Sequence, residues 1–269
     1  MGVGMKPLTR GMGRRPQMVR LPDSAAKGIF VLSALLLFQA PAAAGGLGDD
    51  FDVAFGAAVT SDYISAGISQ TDGKPAVQGY VELNYNIFYV GTWASNVDFG
   101  DEPDAEVDLY AGIRPETERA AFDIGYAHYF YVKDTSPNYG AIVASAEYYA
   151  TDALTVGGNT NFSPDYSQMG DYALWFEGTV DYALPANFGV SGGLGWQYYA
   201  DSLDLPAYWT WNAGVYWSWE ESVTVDLRYV GSDLTKGECA SLMTRGACGH
   251  RVMATLSVDT AASAFLGRK

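Results

Sequence analysis

The sequence predicts an all-β protein: a transmembrane antiparallel β-barrel of about twelve strands, with long external loops and short periplasmic turns. Three observations predict it. Segments of about ten residues alternate apolar and polar side chains with a period of two, the signature of a strand with two unlike faces. The connections between these segments alternate strictly between short and long. Aromatic residues, 14% of the chain, gather near the segment ends. About ten residues is the length that crosses a hydrocarbon core as a tilted strand, and girdles of aromatics mark its two interfaces. A soluble sandwich also has regularly spaced strands. It has no reason to keep every second loop long.

The opening residues are read first as a leader. Residues 1–27 carry Lys6, Arg10, Arg14, Arg15, Arg20 and Lys27 against one acid, Asp23. Residues 28–40 are almost wholly apolar, and Ala42, Ala43 and Ala44 follow. A basic region, an apolar run and small residues at a cleavage site predict a secretory signal peptide over 1–44, with the barrel domain over 45–269. The apolar run falls short of the ~20 residues that a membrane-anchoring helix needs. The basic region is long, so Met12 and Met18 are alternative starts.

Without the leader the electrostatics sharpen. The whole chain has 16 basic and 31 acidic residues, a formal net charge of -15. The leader holds six of the bases and one of the acids, which leaves ten against thirty. Such a chain repels nucleic acid. An exported chain with no second long apolar run is either a soluble β protein or a barrel, whose strands give weak hydropathy signals.

The strands follow in order. The first, Phe51–Thr60, puts Phe51, Val53, Phe55, Ala57 and Val59 on one face. A long loop over 61–75 leads into the clearest hairpin, 76–97. Its first arm places Val77, Gly79, Val81, Leu83 and Tyr85 opposite Gln78, Tyr80, Glu82 and Asn84; its second places Phe88, Val90, Thr92 and Ala94 opposite Tyr89, Gly91, Trp93 and Ser95. The fourth strand shows Val107, Leu109, Ala111 and Ile113, and the fifth Phe122, Ile124, Tyr126, His128 and Phe130. The sixth covers about 141–149. The seventh to ninth run through Leu154–Phe162, Leu174–Tyr182 and Phe188–Tyr198 on the same alternation. The tenth carries Trp209, Trp211, Ala213, Val215 and Trp217, the eleventh Val223, Val225, Leu227 and Tyr229, and the twelfth Val252, Ala254, Leu256 and Val258. Short turns fall near residues 85, 117, 151, 186 and 221, and longer loops near 68, 101, 136, 167, 203 and 240. An even strand count returns both ends of the barrel to one side. The last strand either reaches Phe265, the terminal aromatic common in such barrels, or stops earlier and leaves a tail.

The two cysteines, Cys239 and Cys248, share the last long loop. In an oxidising compartment a local disulfide is the default, contributing roughly 2–3 kcal/mol by loop closure. A metal or redox pair lacks further ligands beyond His250, whereas structural zinc takes four.

At residues 61–79 the chain reads SDYISAGISQTDGKPAVQG. With FYVGTWASNVDF (88–99) and EVDLYAGI (106–113), it resembles the TorF-type family of porins, long grouped as uncharacterised exported proteins. The resemblance runs to the cysteine loop and to RVMATLSV (251–258). It implies an outer-membrane β-barrel of Gram-negative bacteria with a pore function, and it brings no assigned solute. One position departs from the family. Ala66 precedes Gly67 where members often carry Arg, so no role for that cation in gating or selectivity carries over.

If the apolar faces meet lipid, the opposite faces meet the lumen. Glu82, Glu106, Asp108, Asp123, Glu147, Glu177, Asp181 and Asp226 fall there, with Arg228. Strand direction sets Glu82, Asp123, Glu147, Asp181 and Asp226 towards the periplasmic half and Asp108, Glu177 and Arg228 nearer mid-height. An acidic ring favours cations over anions, so the expected function is a narrow porin passing cations or neutral solutes. The alternative is a closed barrel with a structural or surface-adhesion role, in which Arg228 pairs with Asp108 or Glu177 and tyrosines plug the rest. Eight-stranded barrels are filled and those of sixteen or more strands conduct, and twelve lies between.

An enzyme is not expected. Some outer-membrane barrels act on lipid acyl groups with Ser and His, and His128 sits on the predicted lipid face near an interface. Residue 130, two positions on, is Phe rather than Ser, and nucleophile, base and orienter must converge. No dinucleotide fingerprint, P-loop, zinc motif or EF-hand loop occurs, and no cofactor is expected. The acid-rich stretch 98–108 lacks calcium-loop spacing, which favours a solvated loop over a calcium site or a divalent bridge to lipopolysaccharide. The expected partners are outer-membrane lipid, lipopolysaccharide and small solutes.

Overall fold

The computed structural model describes residues 51–100, 104–133, 137–220, 222–243 and 246–266. The expected signal peptide over 1–44 lies outside the described residues. In chain order the elements are β1 (Phe51–Thr60), β2 (Ile64–Ser65), β3 (Ile68–Ser69), β4 (Ala76–Tyr85), β5 (Phe88–Asn96), β6 (Ala105–Ile113), β7 (Ala120–Val132), β8 (Tyr139–Tyr149), β9 (Leu154–Ser163), β10 (Ala173–Ala183), β11 (Phe188–Tyr199), β12 (Tyr208–Trp219), β13 (Val223–Ser232), α1 (Lys236–Leu242), β14 (Arg251–Ala261) and α2 (Ala262–Leu266). Two 3-10 turns, Tyr166–Gln168 and Asp201–Leu203, lie in loops.

Twelve of the strands close into one antiparallel barrel; β2 and β3 form a separate ribbon inside the first long loop. Closure is made by β1, which pairs with β4 from Phe51↔Tyr85 to Thr60↔Ala76 and with β14 from Ala54↔Ala261 to Thr60↔Thr255. No wall strand is left with an open edge, the only arrangement that satisfies a sheet's backbone in hydrocarbon. The wall is therefore a transmembrane β-barrel, as the alternation predicts. The hairpin read first from the sequence holds its register: Gln78 faces Ser95 and Tyr85 faces Phe88 across a turn at Asn86 and Ile87, with Asn86 at φ +52°. The last strand stops at Ala261. Phe265 follows in α2 and stacks on Phe55 with ring centroids 6.4 Å apart.

The exterior is apolar. Val77, Leu109, Leu194 and Val252 are each more than half exposed, and similar side chains cover every wall strand. A continuous belt of this kind would aggregate in water and fits a lipid annulus. Aromatics rim it at both heights. Tyr85, Phe88, Phe122, Tyr182 and Trp219 lie near the short turns, and Tyr172, Trp209 and Tyr229 near the long loops. The aromatic girdle expected from the strand ends is present.

The interior divides by height. Towards the long loops it is filled by buried Tyr129, Tyr131, Tyr139, Tyr166, Tyr199 and Tyr208, packed with Ile68, Cys239 and Leu242 from the loops. Towards the short turns, the wall from β8 to β13 keeps Ser145, Glu147, Asn159, Thr179, Asp181 and Asp226 partly open to water. The opposing wall of the turn end is closed by a clamp. Arg114, just past β6, reaches Glu82 at 3.0 Å and Asp123 at 2.9 Å, and its guanidinium lies 4.2 Å from the ring centroid of Tyr89. The Tyr89 hydroxyl donates to Asp123 at 2.6 Å. Inward Gly112 makes room for this: a Cβ there would lie 2.4 Å from the Tyr89 hydroxyl.

Two stability outcomes follow. Both carboxylates of the clamp are nearly buried, so Arg114→Ala leaves two uncompensated charges; the expected loss is about 3 kcal/mol, read from urea unfolding in micelles, with Arg114→Lys recovering part of it. Leu109 is 52% exposed at the middle of β6. Leu109→Arg should cost about 2–4 kcal/mol in reversible folding into vesicles and much less in a loop position; an unchanged folding energy would contradict the lipid-facing assignment.

Candidate pore and the loop that fills it

The nine residues expected in the lumen alternate with the exposed apolar positions of their strands and fall into three environments. Glu82 and Asp123 belong to the Arg114 clamp. Glu106 and Asp108 lie in the filled half, 1% and 7% exposed. Glu147, Glu177, Asp181, Asp226 and Arg228 line the wetter turn-end wall.

That wall carries one connected polar chain. Arg228 binds Asp226 in a fork, Nε to Oδ1 at 3.1 Å and Nη2 to Oδ2 at 2.8 Å. Its Nη1 donates to Asn212 at 2.6 Å and its Nη2 to Ser191 at 2.8 Å. Asn212 donates in turn to Glu177 at 2.7 Å, and Asn159 reaches the other Glu177 oxygen at 3.5 Å. Tyr216 donates to Asp181 at 3.0 Å. The direct ion-pair partner of Arg228 is thus Asp226, not Asp108 or Glu177. Residues 226 and 228 share one face of one strand, and a planar guanidinium gains most from a two-point carboxylate contact.

The filled half is built by the first long loop folding into the barrel mouth. Asp62 anchors it: Oδ1 accepts from Ser69 at 2.6 Å and from Thr71 at 3.0 Å, and Oδ2 pairs with Arg251 at 3.1 Å. Ile68, Ser69, Gln70 and Thr71 are fully buried. At one side Tyr63 packs on Trp93 at 5.4 Å and donates to Glu106 at 3.1 Å. At the other, the ribbon tip reaches β12 and β13. Ala66 and Gly67 have φ of +43° and +75°, and a Cβ on Gly67 would lie 3.0 Å from the Thr210 methyl. Gly67 thus meets both reasons for glycine, a left-handed backbone and a close wall. Across the base of the loop, Lys74 pairs with Asp98 at 2.5 Å and holds its carboxyl below the usual range. Lys133 does the same to Asp104. The acidic stretch near 98–104 is therefore paired with lysines at both ends; residues 101–103 lie outside the described residues.

Cys239 and Cys248 form a disulfide, which replaces the metal-pair alternative. His250 stacks on Tyr229, which it meets at 2.7 Å through Nδ1. His128 lies on the outward flank of β7, with Nδ1 3.1 Å from the Tyr126 hydroxyl and its ring 4.4 Å from Phe130. A cleft of about 550 Å³ beside it is lined by Tyr126, Asn138, Asp165 and Gln168 among others. The ring contacts of His128 are thus aromatic, with Tyr126 and Phe130.

Sequence reasoning missed two parts of this site. The apolar alternation ends the fourth strand at Ile113 and gives Arg114 no role, yet Arg114 is the next step of the inward series Glu106, Asp108, Tyr110, Gly112. The inward fold of the first loop was not expected; Tyr63, Ile64 and Ile68 in an otherwise polar loop were its signal.

Among solved structures, the chain resembles the KdgM porin at 10% identity and a TM-score of 0.49, over 77% of this chain and 97% of that one. It resembles the NanC porin at 12% identity and 0.48, over 77% and 98%. A Salmonella typhi OmpF structure matches at 8% identity and 0.39, over 79% and 98%. No curated protein sequence matches the chain. Residues 43–259 match the family described as "Bacterial protein of unknown function (Gcw_chp)", and the chain belongs to that family.

Proposed function

We propose that this protein is an outer-membrane diffusion channel of the porin type, for small cations or neutral solutes, seen with its external mouth closed by the first loop. The observation that carries this reading is the lumen itself. Its turn-end wall is polar and open to water, and the other end is filled by wall tyrosines together with the first and last loops, which lie outside the wall. The inward acids Glu82, Glu106, Asp108, Asp123, Glu147, Glu177, Asp181 and Asp226 face the two arginines Arg114 and Arg228. That excess of negative charge supports a preference for cations. The leader, the lipid-facing belt and the resemblance to TorF-type porins support export to the outer membrane, with lipid and lipopolysaccharide as the surrounding partners. The acidic balance argues against nucleic acid. The outward, aromatic-packed His128 argues against lipid hydrolysis.

A second reading is favoured by one specific observation. Six tyrosines and Ile68 are fully enclosed across the loop-end half, which suits a permanently closed barrel with a structural or surface role.

Single-channel current across a planar bilayer, with the refolded chain in a potassium chloride gradient, separates the two. The expected outcome is discrete openings with a reversal potential favouring potassium. Glu177→Gln with Asp181→Asn should move that potential towards zero without abolishing the openings. A chloride preference would overturn the assignment of the acidic wall as the selectivity element. Silence from protein shown to be folded and inserted, with the Cys239–Cys248 crosslink both intact and reduced, would establish the closed barrel instead.

A further inference from the structure

The way the first loop is held suggests how the channel is regulated, an inference that rests on the diffusion-channel reading. The ribbon β2–β3 bonds mainly to itself and to another loop. Ile68 forms a bridge with Cys248, and the Ser69 amide donates to the Ala247 carbonyl at 2.8 Å. The loop after β5 contributes the Asp98 amide to the Gln70 carbonyl at 2.7 Å, and the wall contributes the side-chain contacts at Asp62 and Tyr63. Residues 247 and 248 are in turn fixed by the disulfide to Cys239, on α1. That helix starts at a complete capping box, Thr235 with Glu238, and seats Cys239 and Leu242 in the same apolar cluster as Ile68. Arg251 ties the base of both loops together, pairing with Asp62 and donating to the Gly246 carbonyl.

We propose that the first loop is the gate of this channel and that the disulfide between Cys239 and Cys248, with the adjoining Ala247, is the latch that holds it inside. The latch works by geometry. The crosslink fixes the Ala247 carbonyl and the Cys248 backbone where the ribbon must find them. Without it, the strand of the last loop that edges the ribbon is free to leave, and the ribbon loses the backbone partners of Ile68 and Ser69. The wall keeps its own hydrogen-bond ladder either way, so the loop can move while the barrel stays whole.

The test uses the full exported chain in lipid nanodiscs, compared with Cys239→Ser/Cys248→Ser and with wild-type protein treated with a thiol reductant after insertion. Reduction after insertion removes the concern that the double variant fails to assemble. Hydrogen exchange read by mass spectrometry should show amides at residues 64–71 exchanging at least about tenfold faster once the crosslink is gone, with β9, β10 and β11 unchanged. In planar bilayers the same preparations should open more often than the oxidised chain. Equal protection of residues 64–71 with and without the crosslink would overturn the latch. A freed loop with openings no more frequent than in the oxidised chain would overturn the gate. A freed loop with no current in any form would uphold the latch and refute the diffusion-channel reading, which keeps the two failures apart.

Discussion

The structure depends on one constraint: a strand in hydrocarbon cannot leave an unpaired backbone edge. Each unsatisfied N–H or C=O there costs several kcal/mol. The pairing of β1 with both β4 and β14 meets that constraint, and much else follows from it. Closure puts one side-chain set outside and the other inside along every strand. A one-residue slip would send Val77 and Val81 into the lumen and Gln78 and Glu82 into lipid. The period of two is therefore enforced by the membrane on the outside and by the charges on the inside, and the register is fixed from both faces.

Closure also creates a volume that must be occupied. The chain uses tyrosine for much of this. Its rings bury apolar area while the hydroxyl meets a carboxylate or amide, as in Tyr89 with Asp123, Tyr63 with Glu106, Tyr216 with Asp181, and Asn161 donating to Tyr129. The acids are then held in three different ways. Glu106 and Asp108 are buried in the filled half. Glu82 and Asp226 take arginine forks, and Asp123 shares Arg114 with Glu82; a guanidinium suits such contacts better than a lysine point charge would. Glu147, Glu177 and Asp181 remain at the wetter wall, where water carries part of their solvation. Burial and pairing sort the lumen acids into structural and solvent-facing groups, although all of them look alike as inward positions of a strand.

That sorting marks the boundary of what the letters carried. The twelve strands, their faces, the alternation of turns and loops and the disulfide follow from periodicity and spacing, which are local. The partner of Arg228 and the clamp at Arg114 depend on which strands become neighbours: Arg114 meets Glu82 thirty-two residues earlier in the chain. The inward fold of the first loop depends on still more distant pairs, such as Asp62 with Arg251. Periodicity has nothing to say about a loop, because a loop's conformation is set by what it lands on. The stretch SDYISAGISQTDGKPAVQG stands out in the sequence; the Asp62, Ser69, Thr71 and Arg251 contacts give it a physical meaning.

A mouth closed by a loop has different energetics from one closed by wall side chains. Wall tyrosines such as Tyr129 and Tyr139 are bound to strands whose ladder cannot be broken without unfolding the barrel, so they can only change rotamer. The first loop exchanges a limited set of contacts: the ion pairs at Asp62 and Lys74, a set of hydrogen bonds, and the burial of Ile68 and Tyr63. Hydrogen bonds contribute about 1 kcal/mol each net, and a two-state element shifts from almost wholly closed to almost wholly open over ~5.5 kcal/mol. The wall supplies a rigid frame, and the loop supplies a part of the mouth whose contacts can be exchanged without breaking that frame.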